Sequence, residues 1–485
     1  MSAGERTPVG ADDQMTDAKR MIILATCCLS LLIVGIDSTG LNVALPSIAA
    51  DLGASTSQLQ WVIDAYTLVL ASLLMLGGSL GDRLGRKRIF LTGLTVFALA
   101  SIGASLATSP EMLIGARMVQ AVGGSMLNPV AMAIVTNTFT DPAARARAIG
   151  MWGAAFGLSM ALGPVVGGAL VHGLGWESIF WLNVPICAIA ILLTLRYVPE
   201  SRAERQRRPD PAAQVLLFVF LATLTFGIIE GNELGWGSVV TLGSFVIGVV
   251  AFVAFLLVES RRDEPLIDLR FFGSAPFSSS VIAALIAFAA MGGFLLLNTL
   301  YLQDVRGLSP LQAGLMTLPM AGAMAICAPL SGRIVASRGA RLPMMIAGVA
   351  TTLSGLMLVA MSDTTSFWYL GFAYAVLGVG AGLVNAPITN AAVSGMPKEQ
   401  AGVASGVASV SRQVGTSLGV AVFGAIAFAQ VDESATDDLR TGLADASHPA
   451  WMLMAVLGVA LVVVGYASTG EWAQRTVERT RAKFL

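Results

Sequence analysis

The sequence is short of charge. Only 12% of its 485 residues are Asp, Glu, Lys or Arg, about half the ~25% of ordinary soluble domains. A soluble chain of this length would lack the polar surface it needs. Lysine is scarcest among the charged residues, with four (Lys19, Lys87, Lys398, Lys483) against 25 arginines. A formal net charge of −1 leaves no basic surface for nucleic acid. There are two histidines, His172 and His448, both in polar connections where solvation is the expected state. No metal-ligand spacing and no convergent nucleophile and base are present, so the chain does not read as an enzyme and no cofactor is expected. The four cysteines, Cys27, Cys28, Cys187 and Cys327, fall in apolar stretches and read as buried thiols. A GxxxxGK[ST] phosphate loop is missing, which argues against an ATP-driven pump. Gly378-Val379-Gly380-Ala381-Gly382 lies in an apolar run, where helix packing explains its glycines.

What the chain has is apolar sequence, 55% of it. Windows of about 20 residues predict helices near 21–44, 58–80, 89–107, 111–135, 148–171, 176–196, 213–230, 238–258, 277–301, 309–331, 342–361, 366–392, 400–428 and 450–470. The expected fold class is an all-α membrane protein with fourteen spanning helices. Twenty-five basic residues fall on one side of this map and two, Arg306 and Arg440, on the other, while Arg117 and Arg412 lie inside helices. By the positive-inside rule both termini are expected in the cytoplasm. Trp61, Trp176, Trp236, Trp368 and Trp451 fall at the opposite interface, as an aromatic belt would. The polar start, residues 1–19, is not followed by a signal-peptide cleavage pattern, so none is expected.

The first and last six helices read as repeats. Asn128-Pro129 is echoed by Asn385-Ala386-Pro387, and Gly150 to Gly163 by Gly406 to Gly419. The expected organisation is a tail (1–20), a six-helix bundle (21–197), a linker with two extra helices (198–275), a second six-helix bundle (276–470) and a second tail (471–485). Paired repeats in a membrane protein suggest a transporter with a midplane site between the halves. A channel would carry a filter or repeated pore-lining charge instead.

Four motifs carry a family resemblance. Gly78-Ser79-Leu80-Gly81-Asp82-Arg83-Leu84-Gly85-Arg86-Lys87-Arg88 follows helix 2. Helix 4 holds Leu113, Arg117, Gln120 and Gly123, and helix 5 holds Gly150 and then Gly163-Pro164-Val165-Val166-Gly167-Gly168. Helix 1 ends Asp37-Ser38-Thr39-Gly40-Leu41-Asn42-Val43-Ala44-Leu45-Pro46. With these the chain resembles the major facilitator superfamily, specifically its fourteen-spanner drug:proton antiporters. The resemblance implies a conformational latch at Gly78, Asp82, Arg83, Gly85, Arg86 and Lys87. It implies a proton-transfer arginine at Arg117 and an antiporter motif at Gly150, Gly163, Pro164, Gly167 and Gly168, which favours an exporter over a nutrient importer. Ala121 and Ser159 depart from the pattern, which prefers glycine at both. Asp64 in Gln60-Trp61-Val62-Ile63-Asp64-Ala65-Tyr66 resembles exporters of quaternary ammonium compounds and cationic dyes.

Helical rise puts Asp37, Asp64 and Arg117 each ~9–10 Å below one interface, so they are the expected proton-coupling and substrate-binding residues. The two aspartates either form a cluster with Arg117 or ring a vestibule, and their roles are not separable from sequence. Asn42, Tyr66, Met291, Phe294, Met316, Met320, Tyr374 and Arg412 are candidate pocket residues. The methionines and Phe294, with Met324, line an adaptable pocket or else face core or lipid. Arg412 has no role the sequence assigns. The expected function is proton-coupled export of lipophilic cations (drugs, dyes and biocides) across the bacterial inner membrane, with the proton gradient as energy source and a monomer as the working unit. The alternative is export of an endogenous antibiotic or lipid-like metabolite, with drug efflux incidental. The expected partners are small-molecule cations, protons and the lipid bilayer.

Overall fold

The computed structural model describes residues 16–202, 210–262, 265, 267–394, 401–429, 442–468 and 470–482. Arg6, Arg205, Arg207, Arg208, Lys398, Arg440 and Lys483, all used in the charge map, lie outside the described residues. The chain is built of long helices: α1 (Asp17–Leu52), α2 (Thr56–Leu84), α3 (Arg86–Ser105), α4 (Pro110–Thr138), α5 (Pro142–Leu174), α6 (Glu177–Tyr197), α7 (Pro211–Ile229) and α8 (Val239–Ser260). Then come α9 (Ala275–Leu300), extended by a π turn over Tyr301–Val305, and α10 (Pro310–Arg338), interrupted at Thr317. The last are α11 (Arg341–Val359), α12 (Phe367–Val393), α13 (Ala401–Phe428), α14 (His448–Ala467) and the short α15 (Glu471–Arg481).

Thirteen of these are long and apolar enough to cross a membrane. The expected fifth span, α5, runs unbroken for 33 residues, but several of its side chains lie outside the described set, and its described apolar stretch is Leu158–Leu174. No strand occurs among the described residues. The helices outrun the apolar windows because the sequence supplies their caps. Ser55 with Gln58 and Ser309 with Gln312 form capping boxes, and Asp141 and Asp210 each cap a helix whose first residue is proline. Between α2 and α3 a single residue, Gly85 at φ 115°, makes the turn. A side chain there would also meet the Glu200 carboxylate at 2.6 Å.

Helix pairing repeats between the halves. In the first, α1 lies on α5 and α6, α2 on α4, and α3 on α4 and α6. In the second, α9 lies on α13 and α14, α10 on α12, and α11 on α12 and α14. Across the halves α2 meets α13 and α5 meets α10, the two seams that a pseudo-two-fold relation would produce. One apolar cluster joins both halves at the arginine-poor end, drawing Leu45, Ile48 and Ile63 together with Phe294, Leu300, Tyr374 and Trp451. At the arginine-rich end the halves are joined as well, Ala404, Val407 and Val410 of α13 sharing a cluster with Leu70 and Leu74 of α2, while the second half also keeps a separate cluster around Met344, Leu383 and Ile388.

The two extra helices pair with each other, and α7 packs on both α2 and α13. The turn after α7 is bonded to both halves. Trp61 Nε1 of α2 donates to Glu230 Oε1 at 2.8 Å, and Asn232 Nδ2 donates to the Ala425 carbonyl of α13 at 2.9 Å. The hairpin therefore lies over the α2/α13 seam and not over its symmetry mate.

The aromatic belt is only partly as expected. Trp368 and Trp236 are exposed, at 90% and 49%, but Trp176 and Trp451 are core residues at 2% and 1%. Trp451 lies beside Phe294 and donates to Ser447, and Trp176 meets Phe180 edge to face. Their large apolar area finds protein partners instead of the interface. His172 is exposed, whereas His448 places Nε2 2.8 Å from the Met361 carbonyl. All four cysteines are free, Cys27 and Cys187 fully buried.

The α1/α5 contact depends on glycine. A Cβ at Gly163 would fall on Thr39 Oγ1, and one at Gly167 would stand 2.6 Å from the Gly40 carbonyl oxygen. Ser159, the departure from the pattern, fits because Gly35 faces it without a side chain. Gly150 has nothing within 4 Å. Gly167→Ala is therefore expected to lower stability by about 1–3 kcal/mol. Gly150→Ala should be neutral or stabilising by up to about 1 kcal/mol. Thermal unfolding of the purified protein in detergent checks both.

Candidate functional site

Five helices of the first half converge on Asp37. Its carboxylate, 0% exposed, forms an ion pair with Arg117 of α4, itself 1% exposed. The other oxygen accepts from Gln120 Nε2 at 3.0 Å and Asn183 Nδ2 at 2.8 Å. Ser101 of α3 accepts from Gln120 at 2.9 Å and from Asn183 at 3.3 Å. Arg117 donates through Nε to the Val62 carbonyl of α2 at 3.3 Å and to Gln120 Oε1, and its guanidinium lies 4.1 Å above the Tyr66 ring. Both ions are met on every side by protein, the condition under which a buried pair is tolerable.

Asp64 stands apart from this network. It is 0% exposed and faces α13, not Arg117. Thr67 donates weakly to Oδ1 at 3.4 Å, and Oδ2 has no hydrogen-bond partner. Ser417 Oγ of α13 approaches the same carboxyl without reaching hydrogen-bond geometry. The three ionisable residues expected at one level thus divide into a saturated pair within one half and a lone carboxyl between the halves. Gln60, one turn away on α2, likewise leaves Nε2 unpartnered against Gly424 of α13.

The basic loop is held inside its own half. Asp82 accepts from Arg86 at 2.9 and 3.1 Å. Lys87 donates through its backbone N–H to Glu200 and through Nζ to the Leu195 carbonyl, and the Arg86 N–H donates to Ser201. Gly78 and Gly81 lie against Pro129 and Val130 of α4. Arg83 is exposed and has no partner among the described residues, and no described bond joins the loop to the second half. In α5, Pro164 and Gly168 meet the start of α10, where the carbonyls of Pro164 and Pro310 touch the Cα sides of Gly314 and Gly168.

The candidate pocket residues separate as well. Phe294, Met320, Tyr374 and Met291 are all buried in the apolar cluster that joins the halves, with Met316 packed against it. Phe294 meets Tyr374 at 5.3 Å between ring centroids. In this arrangement they are closed packing and not cavity wall, because the two halves press together at that end. Asn42 lines a small gap of about 10 Å³, room for a water molecule, with Thr39, Asn298, Thr299 and Thr317, and Asn42 Oδ1 has no partner among the described residues. Asn183 and Ser101 were missed from the sequence. An isolated asparagine beside Pro185 in an apolar span was the available signal.

Two repeated helix bundles, one built around an interior ion pair and with a lone carboxyl at the boundary between them, define a multi-pass membrane protein. The chain belongs to the Major Facilitator Superfamily, whose family model matches residues 27–420. It is 36% identical over 426 residues to the "Multidrug resistance protein Stp" of Mycobacterium tuberculosis, covering 88% of this chain and 79% of that one. Against the "Tetracenomycin C resistance and export protein" of Streptomyces glaucescens it is 37% identical, covering 84% and 76%. Against the "Multidrug efflux pump LfrA" of Mycolicibacterium smegmatis it is 35% identical, covering 85% and 81%. The fold matches a crystal structure of a bacterial homolog of the human lysosomal transporter Spinster with a TM-score of 0.67 at 17% identity, covering 96% of this chain and 99% of that one.

Removing one member of a saturated buried pair is costly, about 3–5 kcal/mol, whereas Asp64 has no bond of good geometry to lose. Asp37→Ala should therefore lower thermal stability markedly, while Asp64→Asn should change it by less than about 1 kcal/mol. Parallel unfolding curves on the purified variants measure the contrast.

Proposed function

We propose that this protein is a proton-coupled antiporter that exports lipophilic cationic drugs, dyes and biocides across the bacterial inner membrane by alternating access. Three relatives named for multidrug resistance, multidrug efflux or antibiotic export support the export reading. The observation that carries the coupling is Asp64: a fully buried carboxyl between the bundles, with one oxygen unpartnered. A carboxyl so placed is satisfied by a proton or by an organic cation, and not by both at once. That competition, with a fold able to open to either side, is sufficient for antiport. Asp37, held by Arg117, Gln120 and Asn183, is the fixed countercharge that lets an arginine stand in the membrane interior.

In this reading the arginine-rich face and both termini are cytoplasmic, and the protein works as a monomer with no cofactor. The cluster at the arginine-poor end takes in the α5/α10 seam through Val171, Ala313 and Met320, whereas the cluster at the other end holds no described residue of α10, which supports assigning the structure to an inward-facing state. The exposed Arg83 and the Asp82–Arg86 pair then belong to a disengaged latch. When the halves rock, Asp82 and the basic residues exchange partners at the mouth of the closing cytoplasmic side.

Ethidium efflux from a pump-deficient bacterium tests the proposal. Wild-type efflux should be abolished by a protonophore, and Asp64→Asn should lose it while remaining inserted. Arg83→Ala should lower turnover about tenfold with little change in half-saturating ethidium. An inserted wild type that moves no ethidium, or efflux indifferent to the protonophore, would overturn the coupled-cation reading.

A further inference from the structure

Arg412 is a second interior cation, and the described residues give it no countercharge. It lies on α13, twelfth in the 28 residues from Ala401 to Phe428. Its one described hydrogen bond is to Ser409 Oγ of its own helix, at 2.6 Å. No described carboxylate comes within ion-pair distance, in contrast to Arg117, which holds Asp37. Ser405, Ser409, Arg412 and Thr416 follow each other at three- and four-residue steps and so share one face of α13. All four are half-buried. α13 also packs against α9, α2, α7 and α12, and the Thr416 backbone lies against Gly292 of α9.

A polar stripe that contains an arginine is not stable against hydrocarbon, and partial exposure shows that it is not sealed in protein either. It faces the water-accessible space between the bundles. The fold does not require this charge. The glycines that match between halves, Gly150 with Gly406 and Gly163 with Gly419, are 256 residues apart. The same offset sets Phe156 opposite Arg412, and Ile149, Gly153 and Met160 opposite Ser405, Ser409 and Thr416. One repeat carries the polar stripe and the other an apolar one.

We propose that Arg412 is the counter-ion for an oxyanion on the cargo, a carboxylate or phenolate, so that the central space accepts anionic and amphoteric compounds as well as cations. The guanidinium presents five N–H donors in a planar fork that fits a carboxylate, and Ser409 occupies one of them. Ser417, which marks the level of Asp64 on α13, is five residues further along, or ~7.5 Å of helix rise. Five residues also turn the helix by about 140°, so an amphoteric molecule long enough to follow that turn meets the lone acid of α2 with its amine and the lone base of α13 with its oxyanion. The inference deepens the export reading and rests on it for the space being a cargo site.

The test is equilibrium binding to the purified full chain in lipid nanodiscs, read by fluorescence anisotropy of fluorescein (an oxyanion probe) and of ethidium (a cation). Wild type should bind both saturably. Arg412→Gln should weaken fluorescein about tenfold or more, the loss of a charge-assisted contact, and leave ethidium within about twofold. Arg412→Lys should retain most fluorescein binding, which separates charge from packing. Absence of saturable fluorescein binding to wild type would overturn the proposal, as would an equal loss of both dyes in Arg412→Gln. Binding needs no proton gradient, so this result stands apart from the protonophore test of antiport.

Discussion

A charge inside a bilayer must be met by protein or by water, and the first bundle is organised around meeting one. Arg117 and Asp37 are both buried to within 1% of full burial, and each draws in neighbours from other helices. α1 brings the acid, α4 the base and Gln120, α6 Asn183, α3 Ser101, and α2 a backbone carbonyl and the Tyr66 ring. These bonds fix the rotation of five helices about their axes, which apolar packing alone would leave loosely specified. The remaining helix, α5, is placed differently, by glycines that admit it to van der Waals contact with α1.

The second bundle reproduces the helix pairing without the charge pair. By the Asn128–Asn385 match, 257 residues apart, Tyr374 stands opposite Arg117; it is packed in an apolar cluster with Phe294, and Gly415 and Gly419 bring α13 against α9 as Gly163 and Gly167 bring α5 against α1. Topology and close packing are thus properties of the repeat, while the ionisable chemistry is distributed unevenly over it. The acids lie in the first half and Arg412 in the second, so the space between them is electrically lopsided by construction.

Much of this was legible in the sequence because membrane folding is governed by coarse signals. Apolar windows placed the helices to within a few residues, except that α1 runs through Pro46 to Leu52, α5 begins at Pro142 and α10 continues to Arg338, where polar residues prolong a helix that hydropathy alone would end. The glycine and proline spacings revealed the repeat. Depth arithmetic put Asp37, Asp64 and Arg117 at one level, but level does not determine azimuth. Which acid meets the arginine depends on helix rotation, and that is set by Asn183, Gln120 and Ser101 acting together. Aromatic and methionine residues were ambiguous for a related reason. Trp451, Phe294 and Met320 have the composition of an interface or a pocket and are packed in this state by the closure of two bundles, which no local pattern encodes.

The extra hairpin bears on how the halves can move. Its turn is bonded to α2 through Glu230 and to α13 through Asn232, and α7 follows the same seam with apolar contacts to both. Separation of α2 from α13 would expose that apolar surface and break two hydrogen bonds together. Near the arginine-poor end the α5/α10 seam is a contact of Pro164 and Gly168 backbone with Gly314 and Pro310, and beside it Gln303 Nε2 donates to the Val43 carbonyl of α1 across the halves at 2.7 Å. Two seams that symmetry would make equal are therefore joined differently, one by an added hairpin and the other by close backbone contact. In the proposed alternating-access cycle, small residues would let backbones slide on the α5/α10 side, while the hairpin would keep Asp64 beside α13. A lone carboxyl can then stay between the halves through the cycle while the faces on either side of it open and close.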